Sequence, residues 1–257
     1  MAHLLGVVIV ESHERYLGLP TYMGRKKTAT FEYIKERLGK KLKLWQGKLL
    51  SGAGKDILLR VVTQALPNYD MSVFQLTKKI CEDLEQMCAR FWWGSSFDKR
   101  KIHLKKWDDL CHAKEVGGLG FRTLFEFNMS MLAKQAWRVI SNPESLVAQL
   151  YKARYYPYGN FWNVNAHATP SYSWRSIFAI REFIQTGAFW QVGTRHNVSV
   201  WNYAWIPKLP SHKPQVALVS QPDVQTVNEL IIPPNNLDEH KVRSIFVPDA
   251  AAIFLFP

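Results

Sequence analysis

Apolar residues along this chain recur at spacings of three and four, the pattern of helices that bury one side. Between residues 30 and 45 they are Phe31, Ile34, Leu38, Leu42 and Trp45, a single stripe that predicts a helix. Lys35, Lys40, Lys41 and Lys43 fall mostly off that stripe and give the helix a basic outer side. "SGAG" at 51–54 reads as a break. A second helix follows, with Ile57, Leu58, Val61, Val62 and Ala65 expected inward and Pro67 as its end. A third runs from about Lys78 to Trp93, with Ile80, Leu84, Met87, Cys88 and Phe91 on one face. The fourth, 124–140, carries Leu124, Phe127, Met131, Leu132, Ala136 and Val139, and Thr123 with Glu126 forms a T-x-x-E capping box at its start. Asn142 and Pro143 open a fifth near 143–155. A sixth spans roughly 173–185 and stops at Gly187.

Two regions break this rhythm. "LLGVVIV" at 4–10 reads as a buried strand, halted by Gly18 and Pro20; it is too short to span a bilayer and lacks the flanks of a signal peptide. "FWQVG" and "VSVWN", joined through "TRHN", read as a β-hairpin near 189–201. Residues 207–222 hold four prolines and read as a linker; a short amphipathic helix is expected near 238–246, before the apolar "AAIFLFP". The expected fold is mainly α: a bundle of about six helices with an N-terminal strand and a small hairpin. No transmembrane segment is predicted.

With 47% hydrophobic and 21% charged residues the chain suits a globular core. Its net charge of +12 is uneven. Residues 1–140 hold 24 Lys and Arg against 14 Asp and Glu, whereas 141–257 hold 9 against 7. The densest stretch, 24–60, has 11 basic and 3 acidic residues, and "KRKIHLKKW" (99–107) has five cations and no acid. Such a field attracts polyanions, and with 13% aromatic residues nucleic acid is favoured over a membrane surface. Three cysteines, an odd number, cannot form a disulfide framework and fit a reducing compartment, whether nucleus, cytoplasm or mitochondrion.

Catalytic signatures are sparse. Cys81 and Cys88 lie seven apart on one helical face and Cys111 stands beside His112, which is not the doubled short spacing of a zinc site, so they are read as core residues and no metal is expected. Asp108 and Asp109 in "WDDL" are paired carboxylates, but the aromatic residue is adjacent to them rather than two before, and no third carboxylate joins them. "KEVGGLGFR" (114–122) lacks the Gly-Lys-Ser/Thr of a phosphate loop and reads as a tight turn, with positive φ expected at Gly117, Gly118 and Gly120. Phe121 would tuck under the helix that Thr123 opens, leaving Arg122 beside a helix N-terminus as a phosphate contact. In "FWWG" (91–94), Trp92 and Trp93 cannot both follow the helical stripe; most tryptophans here are expected to pack, but one of these two, next to the basic run, is a candidate for stacking on a base. No cofactor motif is present.

Longer motifs carry a resemblance. "YLGLP…GRKK", "KLKLWQGKLLSGAGKDILL", "ALPNYDMSVFQL", "KIHLKKWDDLC", "GGLGFR", "FNMSMLAKQAWR", "PSYSWRSI" and "VSVWNYAWIP" together resemble the region after the polymerase palm in plant non-LTR (LINE-type) retrotransposon reverse transcriptases, also found as stand-alone plant mitochondrial fragments. The likeness covers about 14–207 and, more weakly, 226–255. It implies a remnant of the last palm strand at 1–22, a helical thumb and connector over 23–187, the hairpin at 188–206, the linker at 207–222 and the start of a zinc-binding region at 223–257. It also implies that the catalytic aromatic-x-Asp-Asp lies before this chain and the zinc-binding and ribonuclease H segments after it. The chain departs from the family at "GTRHN", at Tyr203-Ala204-Trp205 and at "LTK", as a decayed copy would.

The expectation is therefore a fragment of an RNA-directed DNA polymerase, without catalysis of its own, that binds RNA or DNA through the phosphate backbone. A domesticated organellar RNA-binding protein and a part acting with a separate palm chain are the alternatives. The residues expected at the backbone are Arg25, Lys26, Lys27, Lys35, Lys40, Lys41, Lys43, Lys99, Arg100, Lys101, Lys105, Lys106 and Arg122, with Trp92 and Trp93. Six to ten phosphate contacts would weaken binding by about 10³–10⁵-fold between low and moderate salt.

Overall fold

A computed structural model describes residues 15–21, 23–24, 26–46, 48–94, 101–164, 169–188, 199–201, 205–206, 209, 223–232 and 236–248. The expected strand at 4–10, nearly all of the hairpin near 189–201 and of the linker, and "AAIFLFP" lie outside them. Over the described residues the protein is mainly helical, with two small antiparallel strand pairs, and its chain divides into units at 1–181 and 182–257.

The first unit starts with β1 (Arg15–Tyr16) and β2 (Leu19–Pro20), paired through Tyr16 and Leu19. Leu17 (φ 50°) and Gly18 (φ 85°) form the two-residue turn, both in the left-handed region that such hairpin turns require. After α1 (Lys27–Thr30) comes α2 (Glu32–Trp45), whose Ile34, Leu38 and Leu42 are buried as the stripe predicts. α5 (Lys78–Trp92) is likewise as expected: Thr77 caps it by accepting from the Ile80 N–H, and Ile80, Leu84, Cys88 and Phe91 are buried.

The segment between them departs from expectation. "SGAG" begins a helix rather than breaking one, because the Ser51 side chain accepts from the Gly54 N–H and caps α3 (Gly52–Leu58). α3 runs straight into a π-helical turn over 59–63, closed by the Gln64 N–H donating to the Leu59 carbonyl at 2.9 Å. Leu59, Thr63 and Gln64 face inward, whereas Ile57, Val61 and Ala65 are exposed. Both inward polar side chains of this turn are hydrogen-bonded: the Thr63 hydroxyl donates to the Leu59 carbonyl and the Gln64 amide to that of Arg122.

α4 (Asn68–Val73) packs on α7 (Leu124–Ser141). Asn128 of α7, fully buried, donates to the Met71 and Phe74 carbonyls at 2.9 and 3.0 Å and accepts from the Leu76 N–H at 2.8 Å. The Thr123 side chain makes no capping bond; the first N–H of α7, on Leu124, donates instead to Glu85 of α5 at 2.6 Å. Asn142 closes α7, and Ser145 caps α8 (Leu146–Tyr155) by accepting from Ala148, so that helix starts three residues later than the Asn-Pro pair indicates. The expected sixth helix is two, α9 (Tyr172–Ala179) and α10 (Arg181–Gly187), separated at Ile180. Trp174 anchors α9, stacked on Tyr155 with ring centroids 4.7 Å apart. Between the third and fourth expected helices, where the pattern predicts none, the chain forms α6 (Trp107–Cys111) and a 3-10 turn at 114–116.

In the second unit a 3-10 turn (227–230), β3 (Ile231–Ile232), β4 (Asn236–Leu237) and α11 (Glu239–Ile245) surround Val200, Trp205, Leu230, Val242 and Phe246. Val200 donates to the Gln225 carbonyl beside an isolated bridge between Ser199 and Thr226. α11 matches the short helix expected near 238–246, and its Asp238 cap accepts from Lys241.

Candidate nucleic-acid interface

Burying Ile34, Leu38 and Leu42 turns the other side of α2 to solvent. Arg37, Lys40 and Lys43 recur there every three residues and are exposed along one face, and Lys41, four after Arg37, is exposed at its edge. Arg37 was not singled out by the sequence, although its spacing from Lys40 and Lys41 was a usable signal. Lys35 is placed differently. Its ammonium sits 2.8 Å from Glu32 and 2.9 Å from Asp83 of α5, and the hydrogen bond to Glu32, then that to Asp83, raises its pKa. It joins two helices.

The other expected contacts are dispersed. Lys26 is exposed, and the Lys27 ammonium lies 4.8 Å from the Tyr172 ring centre. Lys101, Lys105 and Lys106 are exposed ahead of α6, Lys105 donating to the Gly117 carbonyl at 3.1 Å. Arg25, Lys99 and Arg100 lie outside the described residues. Arg122 is exposed, its guanidinium 4.4 Å from the Phe127 ring. The helix start beside it is occupied by the Glu85 carboxylate. Trp92 meets Phe121 edge-on at 5.5 Å, and Trp93 stacks on His103 at 6.1 Å; both indoles are half-buried.

The glycine-rich turn is used structurally. The N–H groups of Gly117, Gly118, Leu119, Gly120 and Phe121 all donate to carbonyls of Leu110, His112, Ala113 or Lys114, so none of these five points at a ligand. Gly117 and Gly120 have positive φ as expected. Gly118 does not; a Cβ there would lie 2.0 Å from the His112 carbonyl oxygen, so close approach is what demands glycine. Arg60 clamps the turn, donating to the Leu119 and Gly120 carbonyls while paired with Asp56 at 2.9 Å. Its guanidinium also covers Phe121, which stacks on Trp107 at 4.9 Å.

Burial pushes the thiols of Cys81, Cys88 and Cys111 up to about 12, which keeps them protonated. Asp108 and Asp109 are exposed in the first turn of α6, where carboxylates favour the helix dipole. Among the described residues no three His, Cys, Asp or Glu side chains are grouped to hold a metal ion, and no helix is long and apolar enough to cross a membrane.

Against known proteins, the chain is 42% identical over 143 residues to "Uncharacterized mitochondrial protein AtMg00310" of Arabidopsis thaliana, covering 93% of that protein and 55% of this chain. The chain belongs to the family of that plant protein. It is also 30% identical over 196 residues to "Putative ribonuclease H protein At1g65750" of the same plant, a match that takes in 75% of this chain but only 32% of the longer protein. This chain thus spans about a third of that relative. No family model matches the chain, and no solved structure does.

Proposed function

We propose that this chain is a retroelement-derived nucleic-acid-binding segment. It corresponds to the helical thumb and connector that follow the palm of a plant non-LTR reverse transcriptase, and it holds RNA or DNA by the phosphate backbone without reading sequence. The observation that carries this is the exposed face of α2, where Arg37, Lys40 and Lys43 align with Lys41 at the edge, while Ile34, Leu38 and Leu42 are buried on the other side. Cations held on a rigid helix suit a repeating row of phosphates. The relationship to a longer plant protein named for a ribonuclease supports a setting in which RNA is handled.

In this reading the segment adds no nucleotides itself. Asp108 and Asp109 serve the start of α6, and the glycine-rich turn spends its N–H groups internally. The test is RNA binding by fluorescence anisotropy across a salt series. Affinity should fall with a log–log slope of about −0.7 for each phosphate contacted on a single strand. A slope near zero, or nucleotide incorporation on a primed template with Mg²⁺ or Mn²⁺ that survives mock-purification controls, overturns the reading.

A further inference from the structure

α2 and α5 do not close fully on each other. Between them lies a groove of about 330 Å³, within the range of small-ligand sites. Leu42, Met87 and Phe91 form its apolar wall, and Lys43 and Arg90 stand at its rim. The Lys35–Asp83 ion pair closes another part.

Gly39 is what keeps the groove open. It lies in the middle of α2, where glycine is less favourable than alanine because it gives up more backbone freedom. Its φ is not in the left-handed region, so the backbone does not demand glycine, and a Cβ there would meet the Met87 terminal methyl at 3.4 Å. A larger side chain would fill the space.

Lys43 belongs both to this rim and to the basic face of α2, so a strand lying on that face passes the opening. The apolar wall suits a flat ring, and a methionine thioether packs well on aromatic systems. The rim cations suit the phosphates on either side. Duplex bases are stacked away from such a groove, whereas single-strand bases can be splayed out into it. We propose that the α2–α5 groove receives one unstacked base of a single-stranded nucleic acid, with its neighbouring phosphates on Lys43 and Arg90. This rests on the backbone-binding reading of α2.

The test compares the whole chain binding a thymidine oligonucleotide and an abasic oligomer with the same number of phosphates. The base-bearing strand should bind about tenfold tighter or more. Gly39→Leu should bring it down to the abasic level while abasic binding and its salt slope persist. Gly39→Ala, which removes the mid-helix glycine and so preserves the fold, should narrow the gap. Equal binding of both oligomers with a steep salt slope overturns the groove and leaves the backbone reading standing; no binding of either overturns both. A gap untouched by either variant places the base elsewhere. A concentration-dependent dimer that Gly39→Leu dissociates would make the occupant a second copy of this chain, and sinks the proposal too.

Discussion

The carboxylate of Glu85, in the middle of α5, accepts the N–H of Leu124 at the start of α7 at 2.6 Å. A residue 39 positions upstream thus does the work of an N-cap. The bond fixes the start of α7 against α5, and with it the direction in which the glycine-rich turn enters the core.

Burial pushes the Glu85 carboxyl above its ordinary value of 4.5, and the bond from Leu124 opposes that only in part. A carboxyl whose folded pKa is raised holds its proton more tightly in the folded chain. Its contribution to stability is therefore greatest below the unfolded pKa and declines as pH rises through the folded one. Urea unfolding of the wild type and Glu85→Gln at pH 4 and pH 7 checks this. The wild type should lose ground to the glutamine variant on going to pH 7; the reverse trend would refute the assignment. Glu85→Ala, which strands the Leu124 N–H, should cost about 1 kcal/mol at either pH.

Asn128 is another polar residue on which the core depends. It satisfies two carbonyls and one N–H around the end of α4 and the start of α5, all out of reach of water. Asn128→Ala and Asn128→Leu should each cost about 3 kcal/mol or more, because each stranded backbone group loses about 1 kcal/mol or more. The leucine keeps the apolar volume, so near-wild-type stability in that variant would show that the hydrogen bonds contribute little.

Which parts were legible follows from the same physics. α2 and α5 could be read because their stripes are apolar on one side and charged on the other. The Glu85 cap and the Lys35–Asp83 pair join positions 39 and 48 apart, and no local pattern encodes them. The basic face of α2 was readable from helical spacing. The removal of Lys35 from it, and the groove opened by Gly39, depend on how α5 lies beside α2.

That distinction can be measured. Lys40→Glu with Lys41→Glu should flatten the salt slope of RNA binding by at least about 1.4, two contacts at about 0.7 each, and leave the unfolding midpoint almost unchanged. Lys35→Ala should do the opposite. It leaves the slope nearly intact and loses about 1 kcal/mol or less of stability, as its ion pairs are partly exposed. Equal effects of the two changes on the slope would return Lys35 to the binding face.

The helix over 52–63 offers the sharpest contrast between pattern and packing. By hydrophobicity alone Ile57, Val61 and Ala65 point inward, yet Ile57 is 59% and Val61 65% exposed, while Leu59 is fully buried. The buried side includes Thr63 and Gln64, whose polarity hid it from the apolar pattern. The π-helical turn at 59–63 adds a residue to the last turn and shifts the register beyond it. Leu59→Ala should therefore cost about 2–5 kcal/mol. Ile57→Lys and Val61→Lys should each change stability by no more than about 0.5 kcal/mol and raise solubility by removing exposed apolar surface. Chemical denaturation of the three variants decides between the two registers. If the lysines unfold the protein and Leu59→Ala does not, the helix faces the way its hydrophobic residues alone indicate.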